Sequence, residues 1–319
     1  MSLSLTRRAF CGQVGAALTC AVLPPGKLLA GPERPQGLTL GIGNYGMPGL
    51  TVEEAIRLIA ASGFDSLELS LMPDWDSAPT RLNQERRKSI RQMLSDKGLT
   101  LTSLMEDIPP SAVATEHQAT LERLKRAADL AHDLAPERPP LIQTVLGGGT
   151  WNERKALLVD RVGDWLRTAE SSQTVIAVKP HRSGAMSQPR DAAWLYEQLG
   201  KSRWLGMVYD YSHYAMRDLS IAETVATALP LTVQIAVKDV KAVGDRTEFA
   251  LPGEVGTVDY SEILTRFHDG GYRGDVCCEV SSQVFRRPGY DPVAATQSCA
   301  KHLQQAFAAA HIPRRKRVS

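Results

Sequence analysis

The stretch "TVEEAIRLIAASGFDSLELS", Thr51 to Ser70, decides the fold. Thr51 and Glu54 make a capping box, the reciprocal pairing that starts a helix. Val52, Ala55, Ile56, Ile59 and Ala60 then trace one face of a 3.6-residue period. Gly63 supplies the left-handed backbone that ends a helix, Phe64 packs back, and "SLEL" reads as a strand.

The same phrase of helix, glycine, apolar residue and strand recurs along the chain. It stands at "LSDKGLTLTSL" (94–104), at "YSEILTRFHDGGYRGDVCCEV" (260–280) and, more loosely, at "YEQLGKSRWLGMVYD" (196–210). Asp259 and Glu262 repeat the start signal. Candidate strands fall near 38–42, 66–70, 99–104, 141–145, 174–179, 205–210, 233–238 and 275–280. Strands separated by single helices imply right-handed βαβ units and a parallel sheet. Eight of them predict an α/β fold, a single-domain (β/α)8 TIM barrel over residues 36–312. The runner-up, a doubly wound open sheet, would need a Gly-rich phosphate turn early in the chain. "LGGGTWNERK" (146–155) has neither the dinucleotide spacing nor the P-loop Lys-Ser/Thr, so it reads as a flexible βα loop.

Both ends differ from this body. "LTRRAFCG" pairs Arg7 with Arg8 and places Phe10 two residues on, before the apolar "VGAALTCAVLPPG" and small residues near Ala30. A charged head and a short apolar middle predict an export segment over residues 1–35. The paired arginines resemble a twin-arginine signal, which implies export of the folded protein to the periplasm. A lipoprotein cleavage site at Cys20 would want Leu three places earlier, where Ala17 stands. Removing residues 1–35 takes four basic residues and one acidic one, turning the net charge from +2 to −1. The tail 313–319, with "PRRKR", concentrates four more positive charges and reads as solvated and frayed. An acidic body argues against nucleic acid as substrate. No apolar run in the body has the length of a membrane span. Cys277, Cys278 and Cys299 are an odd set with two adjacent members, which is not a disulfide framework.

In a barrel of this kind the chemistry collects at the C-terminal strand ends. Those positions carry Glu68, Gln143, Lys179 with His181, Asp210 with His213, Lys238 with Asp239, and Glu279. In "VIAVKPHRSGA" (175–185) a buried strand ends on Lys179. A cation there is costly unless its site is built to hold it. Asp210 stands three residues before His213, aiming a carboxylate and an imidazole at one mouth. Glu279 ends an apolar strand and so requires a cationic partner. Taken singly, Glu68 also reads as a solvated strand-edge residue and each histidine as a loop cap. Arg286 and Arg287 in "SQVFRRPGYDP" (282–292) are a candidate handle for a phosphate or acidic sugar, or a basic surface turn.

"GFDSLEL", "VKPH", "YDYSH", "VKD", "LPGEVGTVDYSEIL" and "GYRGDVCCEV" fall in an order and spacing that resemble the xylose isomerase-like barrel superfamily. More narrowly they resemble its sugar phosphate isomerase/epimerase branch. The resemblance covers about residues 38–310. It implies a divalent metal (Mg, Mn or Zn) held by a Glu ending the fifth strand, an Asp on the sixth, a His on the seventh and a Glu on the eighth. Asp210 and Glu279 match, while Lys179 and Ala236 replace the other two ligands. His213 matches an imidazole that in relatives contacts substrate or metal. The family set carries about three negative charges, and the residues here sum to about one, with two ligating side chains. Weak metal binding through Asp210 and Glu279, with His181 and His213, stays open.

The resemblance implies proton abstraction next to a sugar carbonyl, with an enediolate to stabilise. On this reading Lys179 supplies the charge in place of the metal, and Glu279 is the base. His181 and His213 then grip hydroxyls or shuttle protons. Glu68, Gln143, Lys238, Asp239 and Arg286 are the candidate substrate-binding residues. The expected protein is an exported isomerase or epimerase of a free sugar. The alternatives are a lyase or hydratase of an oxidised sugar and a sugar-binding barrel that has lost catalysis. The superfamily's endonuclease branch would need the missing Glu and His.

Overall fold

Helix α1 (Val52–Ala61) begins where the capping box placed it. Thr51 accepts from the Glu54 amide and the Glu54 carboxylate accepts from the Thr51 amide. Val52, Ala55, Ile56 and Ile59 are its buried face, and Gly63 stands at φ +80° beyond its end. Phe64 turns the chain inward and β2 (Ser66–Ser70) follows, buried throughout. The computed structural model describes residues 37–244 and 246–315. The predicted export segment, residues 1–35, lies outside the described residues.

The phrase recurs as expected. α2 (Gln84–Asp96) leads through Gly98 into β3 (Thr100–Met105), and α3 (Ala114–Leu134) into β4 (Leu141–Thr144). α4 (Trp151–Ser172) precedes β5 (Ile176–Val178), and α5 (Pro189–Gln198) precedes β6 (Leu205–Tyr209). α6 (Ile221–Ala228) leads to β7 (Thr232–Val237). An antiparallel hairpin follows, β8 (Asp239–Val243) with β9 (Arg246–Ala250), and then α7 (Tyr260–Asp269) and β10 (Asp275–Cys278). α8 (Ser282–Phe285) and α9 (Pro292–Ala309) complete the described chain. With β1 (Thr39–Gly43), eight parallel strands close in the order β1-β10-β7-β6-β5-β4-β3-β2. The fold is a single (β/α)8 TIM barrel.

Three features differ from the sequence expectation. Only the first half of 146–155 is loop, because Trp151 already begins α4. The β8–β9 hairpin was not read from the sequence. The basic tail is not frayed as far as Arg315. Leu38 bridges to Arg314, whose guanidinium meets both Asp65 oxygens at 2.8 and 2.9 Å. Cys277, Cys278 and Cys299 are free and buried, as small hydrophobes would be. No helix among the described residues is long and apolar enough to cross a membrane.

Helices bury their apolar stripes against the outside of the barrel, while its interior combines buried polar side chains with a small apolar cluster. Glu68, from β2, accepts from Ser103 of β3 at 2.6 Å, from Gln143 of β4, and from Gln234 of β7 at 3.4 Å. These bonds cross the barrel and order its centre. Ala177, Val208 and Ala236 pack together on β5, β6 and β7. Two positions further along the same strand directions stand Lys179, Asp210 and Lys238. Side chains alternate across a strand, so residues two apart share a face. Two alanines at this level leave width for the lysine stems above.

Candidate active site

β5 ends at Val178 because Pro180 has no amide hydrogen to continue the ladder. The Lys179 amide still donates to Thr144 O at 2.9 Å, which fixes the residue at the rim. The loop beyond closes on itself, with the His181 amide on Met186 O at 2.9 Å and the Gly184 amide on His181 O at 2.7 Å. Asp210, one residue past β6, caps the short turn Tyr211–His213. Its Oδ1 accepts from the Ser212 amide at 3.2 Å and hydroxyl at 2.6 Å, leaving Oδ2 for the barrel axis. Glu279, one past β10, is placed by its amide on Val237 O at 3.0 Å.

These side chains meet in one charge cluster. Lys238 Nζ lies 2.7 Å from Asp210 Oδ2 and 2.8 Å from Glu279 Oε1. Lys179 Nζ pairs with Glu279 Oε2 and lies 3.6 Å from Asp210 Oδ2. Burial alone would raise the Glu279 carboxyl, but Lys179 and Lys238 reverse that and hold it well below the usual carboxylate range. Burial would raise the Asp210 carboxyl too, and Lys238 foremost holds it low. Burial would lower Lys179, yet Glu279 and Asp210 outweigh it and keep the ammonium protonated.

The imidazoles behave differently. Burial and the neighbouring His213 lower His181 to about 3, and burial and Lys238 lower His213 to about 4. Both are neutral at physiological pH. His213 Nδ1 accepts from the Arg182 amide at 3.4 Å, which puts its proton on Nε2, 3.4 Å from Asp210 Oδ2. That contact lacks good hydrogen-bond geometry. His181 Nδ1 accepts from the Ser183 amide at 3.3 Å, so Nε2 carries the proton there too. The two rings meet tilted by 48°, 4.0 Å between centroids, and Phe249 from β9 packs edge-on against His213 at 5.1 Å and lies 4.8 Å from Lys238 Nζ.

A pocket of about 150 Å³ opens over this cluster, at the C-terminal end of the barrel. Tyr45, Glu106, Gln143, Lys179, His181 and Glu279 are among its lining residues. Of the sequence-predicted residues, Lys179, His181, Glu279 and Gln143 therefore reach it. Asp210 and Lys238 form its charged foundation, with the neutral His213 beside Asp210. Glu68 lies beneath as the acceptor that orients Gln143; burial raises its carboxyl, opposed by the Ser103 hydroxyl.

Of the five predicted substrate-binding residues only Gln143 lines the pocket: Glu68 and Lys238 are buried off its lining, and Asp239 and Arg286 stand away from it. Asp239 does not face the pocket lining: its carboxylate accepts from the amides of Val240, Val255, Gly256 and Thr257 at 2.7–3.2 Å, holding the following loop. Arg286 is exposed beyond α8 and does not line the pocket. Its neighbour Arg287 pins the hairpin through Glu254 and Phe249 O, each at 2.8 Å.

Glu106 and Tyr45 were missed. Glu106 follows β3 directly, is 4 % exposed and pairs with Arg123. Burial raises its carboxyl, opposed by Arg123. The signal was present in "LMEDIPP" (104–110), an acidic pair at a strand end before a proline turn.

The metal expectation meets a poor donor set. Asp210 and Glu279 are shared between two ammoniums, Lys179 occupies the fifth-strand ligand position, and Ala236 offers no donor. No group of three or more His, Cys, Asp or Glu among the described residues is arranged to hold a metal ion. These residues do not fit a divalent cation.

A closed (β/α)8 barrel with titratable groups gathered at its C-terminal mouth defines the class. The Xylose isomerase-like TIM barrel family pattern matches residues 56–306, and the chain belongs to that family. No protein of curated function matches it. Among solved structures it is similar to 3-keto-D-glucoside 4-epimerase from E. coli, at 14% identity and TM-score 0.66, over 85% of this chain and 99% of that one. It is also similar to a probable 3-DHS dehydratase of petrobactin synthesis from Bacillus anthracis, at 15% and 0.68, over 84% and 99%. D-psicose 3-epimerase with D-tagatose from Clostridium cellulolyticum H10 gives 16% and 0.66, over 86% and 99%. Identities this low establish a shared fold.

Proposed function

We propose that this barrel moves a proton next to the carbonyl of a free sugar or sugar derivative, as an isomerase or epimerase. The observation that carries the reading is the fixed Lys179 ammonium on the wall of an open pocket. A degenerate barrel would fill that space with side chains, and here the pocket stays open with Lys179 and Glu279 on its lining and Asp210 next to them. The names borne by the structural neighbours, two sugar epimerases and a dehydratase, support the same reaction class.

The roles follow from charge. An enediolate oxygen beside Lys179 gains a full cation held in place before reaction, the arrangement that lowers a barrier most. The neutral His181 Nε2–H donates a second hydrogen bond without carrying a charge into the site. Glu279, held low by two ammoniums, is a weak base; its part is to keep Lys179 aimed. Glu106, on the same pocket wall and with its carboxyl raised by burial, has the greater proton affinity and takes the base role. A lyase acting on an oxidised sugar begins with the same proton abstraction and differs only in what leaves next. Arg7 and Arg8 support export to the periplasm by the twin-arginine route. Cell fractionation of an Arg7→Lys/Arg8→Lys variant tests it: retention in the cytoplasm is expected, and unchanged export overturns it.

Lys179→Met tests the reaction. It should reduce turnover of the responsive ketose or keto-glycoside by about 100-fold or more while the circular dichroism spectrum stays native. Unchanged turnover overturns the reading.

A further inference from the structure

Lys179 and Lys238 direct their ammonium groups at the same two carboxylates. Lys238 bridges Asp210 Oδ2 and Glu279 Oε1 at 2.7 and 2.8 Å, and Lys179 takes Glu279 Oε2. Asp210 Oδ1 is engaged by Ser212. Every oxygen of the carboxylate pair therefore already accepts from a donor. Two ammoniums carry the charge of one divalent cation, so with Asp210 and Glu279 the cluster sums to zero. Buried ion pairs persist when charges cancel and acceptors are satisfied, and here the charges sum to zero and every carboxylate oxygen has a donor.

A dication entering this cluster would meet two fixed positive charges within a few ångströms, in a medium that screens them weakly. It would also have to displace an ammonium from each carboxylate it ligated. The barrel is built for the lysines instead. Ala177 and Ala236 stand two residues before them on β5 and β7, where larger side chains would crowd the stems.

We propose that Lys179 and Lys238 together are a built-in replacement for a divalent cation, and that this site excludes metal. Lys179 faces the pocket as the electrophile. Lys238, 1 % exposed and away from the pocket lining, is a positioning residue that keeps Asp210 and Glu279 ionised and Lys179 in place. The inference concerns what the cluster holds and stands apart from which carbonyl reaction the pocket runs.

The test is titration with MnCl2 by calorimetry, with manganese paramagnetic resonance as a second readout. The wild-type protein should take up no stoichiometric Mn²⁺ up to about 1 mM, the weak end of protein sites for hard cations. Lys238→Gln, which unbalances the cluster by one charge, should gain measurable affinity. The double variant Lys179→Glu/Ala236→His, which completes a four-ligand set with Asp210 and Glu279, should bind at least about 100-fold more tightly than wild type. Circular dichroism identifies which variants are folded. One-to-one binding by wild type that Asp210→Asn removes would overturn the proposal. So would folded variants that gain no affinity. If neither variant folds, the wild-type titration decides alone.

Discussion

Lys238 Nζ lies 2.7 Å from Asp210 Oδ2, and both side chains are closed off inside the barrel. Each compensates the other's buried charge, with Glu279 Oε1 the ammonium's second partner at 2.8 Å. Removing one therefore leaves an uncompensated buried charge. Lys238→Met should cost about 3–5 kcal/mol of folding stability. Urea denaturation with unchanged m-value is the measurement, and a loss below the scatter of surface variants would refute a buried pair.

On the acid side of the stability profile two buried neutral imidazoles act together, His181, lowered to about 3, and His213. The His213 pKa is lowered to about 4 by burial and Lys238, against about 6.5 in an unfolded chain. Between those values the unfolded state binds a proton that the native state does not. Stability from this group is thus fully present above the unfolded value and falls as pH drops through that window. The slope contributed is about 1.4 kcal/mol per pH unit. Asp210, held low by the same cluster, adds its loss at still lower pH. A His213→Gln variant should show a correspondingly flatter profile from pH 6 to 5, and an identical slope would contradict the neutral assignment.

Glu106 and Glu279 separate by pH as well as by role. With its carboxyl raised, Glu106 as base puts the acid limb of kcat/KM above the ordinary carboxylate range, activity increasing as pH rises through it. Glu106→Gln should lower kcat by a factor of about 100 or more with little loss of stability from the charge cluster. Glu279→Gln should instead lower stability, because Lys179 and Lys238 lose their shared partner. An acid limb below pH 4 would return the base role to Glu279.

Asp239 is a loop-holding residue and its loss should be local. Asp239→Ala leaves the amides of Val255, Gly256 and Thr257 without an acceptor. The expected cost is about 1–3 kcal/mol, with hydrogen exchange accelerated at those three amides. Normal exchange there would contradict the assignment.

Much of this architecture was legible because its signals are local. The Thr51–Glu54 box, the stop at Gly63 and the repeat at Gly98 and Gly271 each act within a few residues, and the structure follows them. Lys179, Asp210 and Glu279 were legible as costly charges at the ends of apolar strands. What local pattern could not carry is which oxygen each charge meets. Lys238 is one residue from Asp239 in the chain, yet the first bridges two carboxylates and the second holds a loop sixteen to eighteen residues on. Glu106 was passed over because its partner Arg123 lies on α3, a turn of chain away that no strand-end pattern shows. The hairpin bringing Phe249 over Lys238 was hidden in a stretch whose strands are short and mix polar with apolar residues.

The most direct measurement is proton exchange at carbon. The protein is incubated in D2O with ketohexoses and 3-keto-glycosides, and the hydrogens next to the carbonyl are followed by proton NMR. The account predicts that wild type washes out one such hydrogen from at least one of these sugars and that Lys179→Met does not. Exchange by the Lys179→Met protein at the wild-type rate, or none by wild type with any of these sugars, would contradict it.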